Sequence, residues 1–560
     1  MWMQKLKRDG FNDKAAVSVS GILGAIVFLL LYGLYPLDVT NDAWILTQYD
    51  GSDILQHYAG WAQYRISDWN YPLGYANELS YGDGTYITYT DSIPYVAIIC
   101  KLFRGILPDT FQYFGWFTLG CYILQGIGAC LLIKRKIRSY VKVLTGVLFF
   151  LTAPVLIERT FKHTALAAQW IVLFAIYFYL EYRKKEKDAG LPWQLILLTA
   201  LSVGIHPYFL PMVMIFVLLV VIEAVIKKHS IWKTAGFTAL SVASPAVMGL
   251  VIGAIGTGVK NTREGYGYFG MNLNSLFNAQ SSSGYTWSHV LPQRGQIYHT
   301  YDGFNYLGLG VLLMAAVCFV LFVAELVREK EYLGEAKSVL KRNIPLICCM
   351  AFMTLFAVTN VLTWDYEELF LIPIPKELIE LASIFRSSGR MFWPVYYLIM
   401  LTLIYYLLDK SNAKIGGALL AVLLFIQIFD MRDVYTVRYD RMKELSGKET
   451  LLDDETLKAV PEKEVLVVIG QGNFEVQRVL AVWAAQRNMG VAYSVANSGE
   501  YINAKLYTDW FAQSMAEGVM REDVVYVTFE EEIMQHWREV LIDDVYTEYQ
   551  RGFYYFVYKE

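Results

Sequence analysis

The stretch Ala16-Val-Ser-Val-Ser-Gly-Ile-Leu-Gly-Ala-Ile-Val-Phe-Leu-Leu-Leu-Tyr-Gly-Leu-Tyr-Pro36 carries no charged residue. It is as long as an α-helix must be to cross the roughly 30 Å hydrocarbon core of a bilayer. Six more segments read equally well: Phe111–Ile133, Thr164–Leu180, Tyr208–Ile226, Ala235–Ile255, Tyr306–Val327 and Ile344–Leu362. Four weaker ones are Val143–Ile157, Trp193–Gly204, Met391–Leu408 and Ile415–Phe429. Together they predict a mainly α, polytopic membrane protein of roughly eleven transmembrane helices. Composition agrees: charged residues make up 18% of the chain, below the roughly 25% of a soluble domain. The first segment is longer than a signal-peptide core and lacks a small-residue cleavage site, so it reads as an uncleaved first span.

Charge placement tests this independently, because basic residues accumulate in cytoplasmic loops. Clusters occur at Lys5, Lys7, Arg8 and Lys14; at Lys134, Arg135, Lys136 and Arg138; and at Arg183, Lys184, Lys185 and Lys187. Others follow at Lys227, Lys228 and Lys233, between Arg328 and Arg342, and at Lys410 and Lys414. They occupy every second loop, which predicts a cytoplasmic amino terminus and an extracytoplasmic carboxyl-terminal tail. Ile93–Leu107 is apolar but short, and Lys101 and Arg104 interrupt it. Counted as a span, it would put every later cluster on the wrong face, so it reads as an interfacial helix.

The six cysteines lie in apolar segments without CxxC or His/Cys ligand spacing, which argues against a zinc site or a disulfide framework. A net charge of −4 offers no footprint for nucleic acid. There is no Walker motif and no duplicated half of the kind found in transporters. Residues 1–430 therefore read as a transmembrane module with long outer loops at 37–110, 256–304 and 363–390, and 431–560 as a small extracytoplasmic α/β domain. Loops this long are usually functional when they are rich, as here, in Trp, Tyr and Phe.

Candidate site residues fall in those loops and at span ends. In the first loop, Asp50, Asp53 and His57 are spaced to share one face of a helix running to about Trp69. A carboxylate there suits a general base, although an Asp before a helix equally suits a cap. Asp91-Ser92-Ile93-Pro94 has the form of a helix start, so capping is the simpler expectation for Asp91. Arg159 and His163 stand four apart at a span mouth, where they would meet a phosphate headgroup or merely snorkel to lipid. His206 precedes Pro207, where a structural role is the more ordinary one. Arg386 and Arg390 flank Ser-Ser-Gly, and the rigid arginine fork suits a phosphate. The middle loop, from Tyr266 to Phe304, is rich in glycine, aromatics and amides, a composition suited to stacking on sugar faces.

The phrases Asp53-Ile-Leu-Gln-His57-Tyr-Ala-Gly-Trp61, Trp69-Asn-Tyr-Pro72-Leu-Gly74, Tyr89-Thr-Asp91-Ser92-Ile-Pro94, Asn305-Tyr-Leu-Gly-Leu-Gly310 and Phe385-Arg-Ser-Ser-Gly-Arg390 are similar to those of an uncharacterised bacterial family placed near the GT-C membrane glycosyltransferases. The organisation as a whole resembles the GT-C superfamily, whose first outer loop carries an essential acidic residue. No tandem acidic pair follows the first span here, which leaves Asp50 and Asp53 both open for that role. The resemblance implies a multi-pass protein of the bacterial plasma membrane, with a polyprenyl-phosphate sugar as donor and a glycan, lipid or protein as acceptor. It implies inverting transfer, with Asp53 foremost as base and the leaving phosphate held among Arg159, His163, Arg386 and Arg390. No cofactor is required; a divalent cation such as Mg or Mn is compatible with this chemistry and nothing in the sequence demands one.

In the tail, Glu464–Gly470 reads as a buried strand and Phe474–Arg487 as a helix. Then come a strand at Val491–Val495, a helix at Ile502–Ala516, and strands at Val524–Phe529 and Gly552–Tyr558. Gly470-Gln-Gly472 is an incomplete nucleotide turn, and the domain is expected to recognise an acceptor or partner or to cover the site. Two other classes remain open: a transporter or flippase of lipid-linked glycans, and a non-catalytic envelope scaffold. A transporter should show polar residues along its span interiors, whereas here they gather at the outer ends.

Overall fold

The computed structural model describes residues 12–186, 190–257, 265–280, 284–297, 300–329, 331–450, 452–470, 473–496, 502–542 and 545–559. Lys5, Lys7, Arg8, Lys187 and the Gln471-Gly472 turn lie outside these residues.

Each of the eleven apolar segments contains a helix, but fewer than eleven are spans by length and composition. Among the described residues seven helices are long and apolar enough: Asp13–Tyr32, Phe114–Ile133, Thr164–Lys184, Phe209–Ile226, Ile231–Ile252, Leu309–Arg328 and Ser388–Lys410. Two bent pairs bring the number to nine: Tyr332–Arg342 with Ile344–Val358, at 69°, and Lys414–Asp430 with Arg432–Ser446, at 52°. The shortfall is Tyr140–Leu151 and Gln194–Ile205, of 12 residues each, which at 1.5 Å per residue reach only about 18 Å. Proline limits both. Ala153 turns extended before Pro154, and the other helix ends at extended His206 before Pro207.

Apolar residues such as Trp232, Leu240, Phe319, Val320 and Val327 point outward from the helices, as a lipid-facing surface requires. The basic clusters gather at one end, where Lys134 and Arg138 meet Asp13, Arg135 meets Glu181 and Arg183 meets Glu223. The three long loops and the tail assemble at the other.

In that loop assembly the helix Ser52–Ile66 is enclosed, with every residue from Ile54 to Arg65 buried. Pro94–Leu102 has nine residues, too few to cross, and Ile99, Leu102, Phe103 and Ile106 at and beyond its end are exposed. Its Lys101 turns inward over the rings of Tyr64 and Trp69. The third loop contains a hairpin, Val361–Trp364 with Glu367–Leu371, and a helix, Lys376–Ala382.

The tail is a mixed sheet with strand order Gly490–Val491, Val465–Val468, Val524–Thr528, Tyr554–Tyr558, Thr547–Arg551; the first three are parallel and the last two antiparallel. The helices Phe474–Gln486, Ile502–Ala516 and Glu531–Val540 accompany it. The first loop adds to its edge: Leu79 bridges Val491, with Val491 N–H donating to Glu78 O at 2.8 Å and Tyr81 N–H to Val491 O at 3.0 Å. The helix Arg432–Ser446, past residue 430, packs on the span Asp13–Tyr32 rather than on the tail sheet.

Candidate active site

Asp50, Asp53 and His57 do not share a helical face. The helix begins at Ser52, and Gly51 precedes it at φ +100°, a conformation open to glycine, so Asp50 departs in another direction. No side chain caps this helix, so the capping alternative for Asp50 also fails.

Asp50 is buried against Arg438, with Oδ2 3.2 Å from a guanidinium nitrogen, and its other oxygen accepts from Tyr285 Oη at 3.3 Å. Arg438 also stands 3.9 Å from Glu158 Oε2, which receives Lys162 on its other oxygen at 2.8 Å. Burial pushes the Asp50 carboxyl up while Arg438 opposes it.

Asp53 points elsewhere, onto His163 Nε2 at 3.1 Å, and 31% of its side chain remains accessible. Burial raises its carboxyl above the ordinary range, with Arg478, Lys162 and Arg390 drawing it back. His163 is pushed well down by burial and then by Arg390 and Arg159, which disfavours its charged form. His57 is enclosed, and neither ring nitrogen finds a hydrogen-bond partner among the described residues. Burial, reinforced by Arg478, lowers it to about 3, a neutral packed group rather than one open to substrate.

Asp91 repeats the Asp53 arrangement. It does not cap Pro94–Leu102, whose N-cap is Ile93. Instead, at φ +55°, it faces His206 Nε2 at 3.6 Å with 34% of its side chain accessible. Burial lifts it to about 6, and Asp53 pushes in the same direction against Arg390 and Arg386. His206 is lowered by burial and by Arg390.

The expected phosphate-binding arginines separate. Arg159 donates to Asp302 Oδ1 at 2.5 Å and to its carbonyl at 2.7 Å, and Arg390 reaches Asp302 Oδ2 at 2.8 Å. Burial alone would raise Asp302, but Arg390 and Arg159 hold its carboxyl well below the usual range. Arg159 and Arg390 thus brace the middle and third loops. Gly389 serves the same junction: a Cβ there would lie 2.4 Å from Gly303 Cα, so the small-residue spacer lets two backbones touch. Arg386 lies over the Phe269 ring at 5.4 Å and has no carboxylate partner among the described residues. It is the arginine best placed to meet an incoming anion.

Sequence reasoning missed Asp302, Arg438 and Arg478. Asp302 lay in a loop read only for its aromatics and amides, and the two arginines lay in a tail assigned to acceptor recognition. Among the described residues no three His, Cys, Asp or Glu side chains converge as a metal-binding group.

A family profile described as "Domain of unknown function (DUF6311)" matches residues 21–432. The chain belongs to that family. The DUF6311 match takes in Asp53, Asp91, His163, His206, Asp302 and Arg386, and stops short of Arg438 and the tail. No curated protein matches the chain in sequence. Among solved structures, the oligosaccharyltransferase of Archaeoglobus fulgidus, in its apo form, aligns over 98% of this chain and 73% of its own at 12% identity, with a TM-score of 0.37.

Proposed function

We propose that the protein is a membrane glycosyltransferase that moves a sugar, with inversion, from a polyprenyl-phosphate-linked donor to a glycan, lipid or protein acceptor. The observation that carries this reading is the Asp53–His163 pair, a partly open carboxylate 3.1 Å from an imidazole at the loop end of a multi-pass bundle. The sequence phrases similar to GT-C-like proteins support it. The alternation of basic clusters supports a cytoplasmic amino terminus and transfer on the outer face, and the sequence resemblance supports a bacterial plasma membrane.

Asp53 takes the proton of the acceptor hydroxyl as its oxygen attacks the anomeric carbon. The bond from that carbon to the donor phosphate oxygen breaks, and the electron pair leaves with the phosphate. Arg386 receives that charge, with the field of Arg159 and Arg390 behind it. Asp91 is the second candidate base or an acceptor-orienting group. The reading requires no metal; were a Mg or Mn ion used, Asp53 and Asp91 would offer carboxylate oxygens and donor phosphate would complete the shell.

The test is release of polyprenyl phosphate from a panel of polyprenyl-phosphate sugars by purified protein, beside Asp53→Asn. The expected loss in the variant is about 10²- to 10⁴-fold. Equal release by both would move the base to Asp91. No release from any donor by folded protein would favour a lipid-linked glycan transporter or a scaffold.

A further inference from the structure

The tail helix Phe474–Gln486 lies outside the residues the family profile matches, yet it packs directly on Ser52–Ile66, the helix that carries Asp53. Arg478 sits in this interface, 2% exposed. One guanidinium nitrogen donates to Ser52 O at 3.0 Å and the other to Gln56 Oε1 at 2.7 Å, while Nε reaches Val495 O at 3.4 Å. Ser52 and Gln56 bracket Asp53 within one helical turn, so a single fork grips the turn that presents the carboxylate.

Burying a guanidinium is costly unless its charge and hydrogen bonds are used. An apolar side chain would fill the same space without that cost. The interface is also held elsewhere: Gln63 donates to Ala481 O at 2.8 Å and Met489 O at 3.2 Å, and Gln48 meets Glu475 at 3.1 Å. Arg478 is therefore not needed merely to attach the tail.

We propose that Arg478, supplied by the tail, is a positioning residue of the candidate active centre: its fork holds the Ser52–Gln56 turn that presents Asp53. The proposal rests on the reading of Asp53 as the base. It makes the tail a structural part of the centre rather than a separate recognition module. The other groups that bear on Asp53 are His163 and Lys162 from the turn before Thr164, Asp91 from the first loop, Tyr301 and Asp302 from the middle loop, and Arg390 from the third. Burial raises the Asp53 carboxyl, and Arg478 is the foremost cation lowering it. A base that must be ionised to work thus loses activity on the acid side, and that acid limb moves to higher pH when Arg478 is neutralised.

The experiment compares full-length wild type, Arg478→Gln and Arg478→Lys in lipid nanodiscs by two readouts. The first is amide exchange in the Ser52–Ile66 helix relative to the Val465–Val468 strand; the second is the pH profile of polyprenyl-phosphate release. For Arg478→Gln we expect faster exchange in the helix and an acid limb moved to higher pH. At neutral pH its kcat/KM should fall roughly tenfold to a hundredfold. Arg478→Lys keeps the charge but not the fork, so it should loosen the helix while leaving the acid limb near its wild-type position. Unchanged exchange together with a profile parallel to wild type in Arg478→Gln would overturn the proposal. Absence of turnover in the wild type would defeat the transferase reading and the electrostatic role with it, and exchange would then decide the grip alone. Should Arg478→Gln fail to fold, Gln56→Ala removes one of the two bonds to that turn, and unchanged exchange there would equally overturn the grip.

Discussion

Asp50 and Asp53 stand three residues apart and live in different chemistry. Asp50 is sealed under Tyr285 with a fully buried arginine, and Glu158 and Lys162 extend the cluster. Asp53, like Asp91, faces an imidazole and keeps about a third of its side chain open. Both environments bury a carboxylate, but only the second leaves it able to exchange a proton with an arriving molecule. An acid whose charge is already compensated by an enclosed cation holds structure together. An acid that faces only an imidazole that burial holds from charging, and that keeps part of its surface open, is left free to exchange a proton.

The sharpest way to break this contrast is to remove the sealed cation. Arg438→Met leaves Asp50 and Glu158 buried without it, and should destabilise the fold by roughly 3–5 kcal/mol. Thermal unfolding checks this, and adding Asp50→Asn should recover part of the loss. A smaller effect concerns the open pairs. If Asp91 must be ionised for turnover, then with its carboxyl lifted to about 6 the wild-type rate should fall as pH drops through that value. An Asp91→Asn protein that keeps measurable activity should lose that limb of the profile, and an unchanged profile would remove Asp91 from the chemistry. The smallest expected change is at the rim. Arg386→Gln should raise KM for the phosphate donor roughly tenfold, the worth of one charge-assisted hydrogen bond, with kcat changed less. An equal fall in kcat would instead mean that the arginine acts mainly in the transition state.

The bundle was legible because a long uncharged run such as Ala16–Pro36, in a chain of this composition, fits a membrane span and little else. The tail was readable in part: the helices Phe474–Gln486 and Ile502–Ala516 and the strands Val465–Val468, Val524–Thr528 and Tyr554–Tyr558 were expected, whereas the helix Glu531–Val540 and the edge strand Thr547–Arg551 were not. Span lengths were less so, because Pro154 and Pro207 interrupt apolar runs that hydropathy alone would carry through. The hairpin Val361–Leu371 was hidden because its first strand continues an apolar run that reads as helix. Among the candidate site residues, Asp53, Asp91, His163 and His206 could be suspected one by one, but not paired. Pairing depends on how loops fold over one another, and local spacing contains no such information. Asp302 is the extreme case. It joins Arg159, 143 residues before it, to Arg390, 88 residues after it, and no period in the sequence marks either link.

The contact between Arg478 and Ser52 spans 426 residues of chain. The first loop emerges right after the span Asp13–Tyr32, yet its central helix is enclosed only when the tail, made some 426 residues later, arrives. During synthesis Ile54, Leu55, Tyr58 and Trp61, buried in the finished protein, must wait beside the membrane without the tail that covers part of their helix. Such late, non-local closure is slow and exposes apolar surface meanwhile. A protein cut short after the span pair Lys414–Ser446 would therefore insert the helices before it and still arrive without a finished centre.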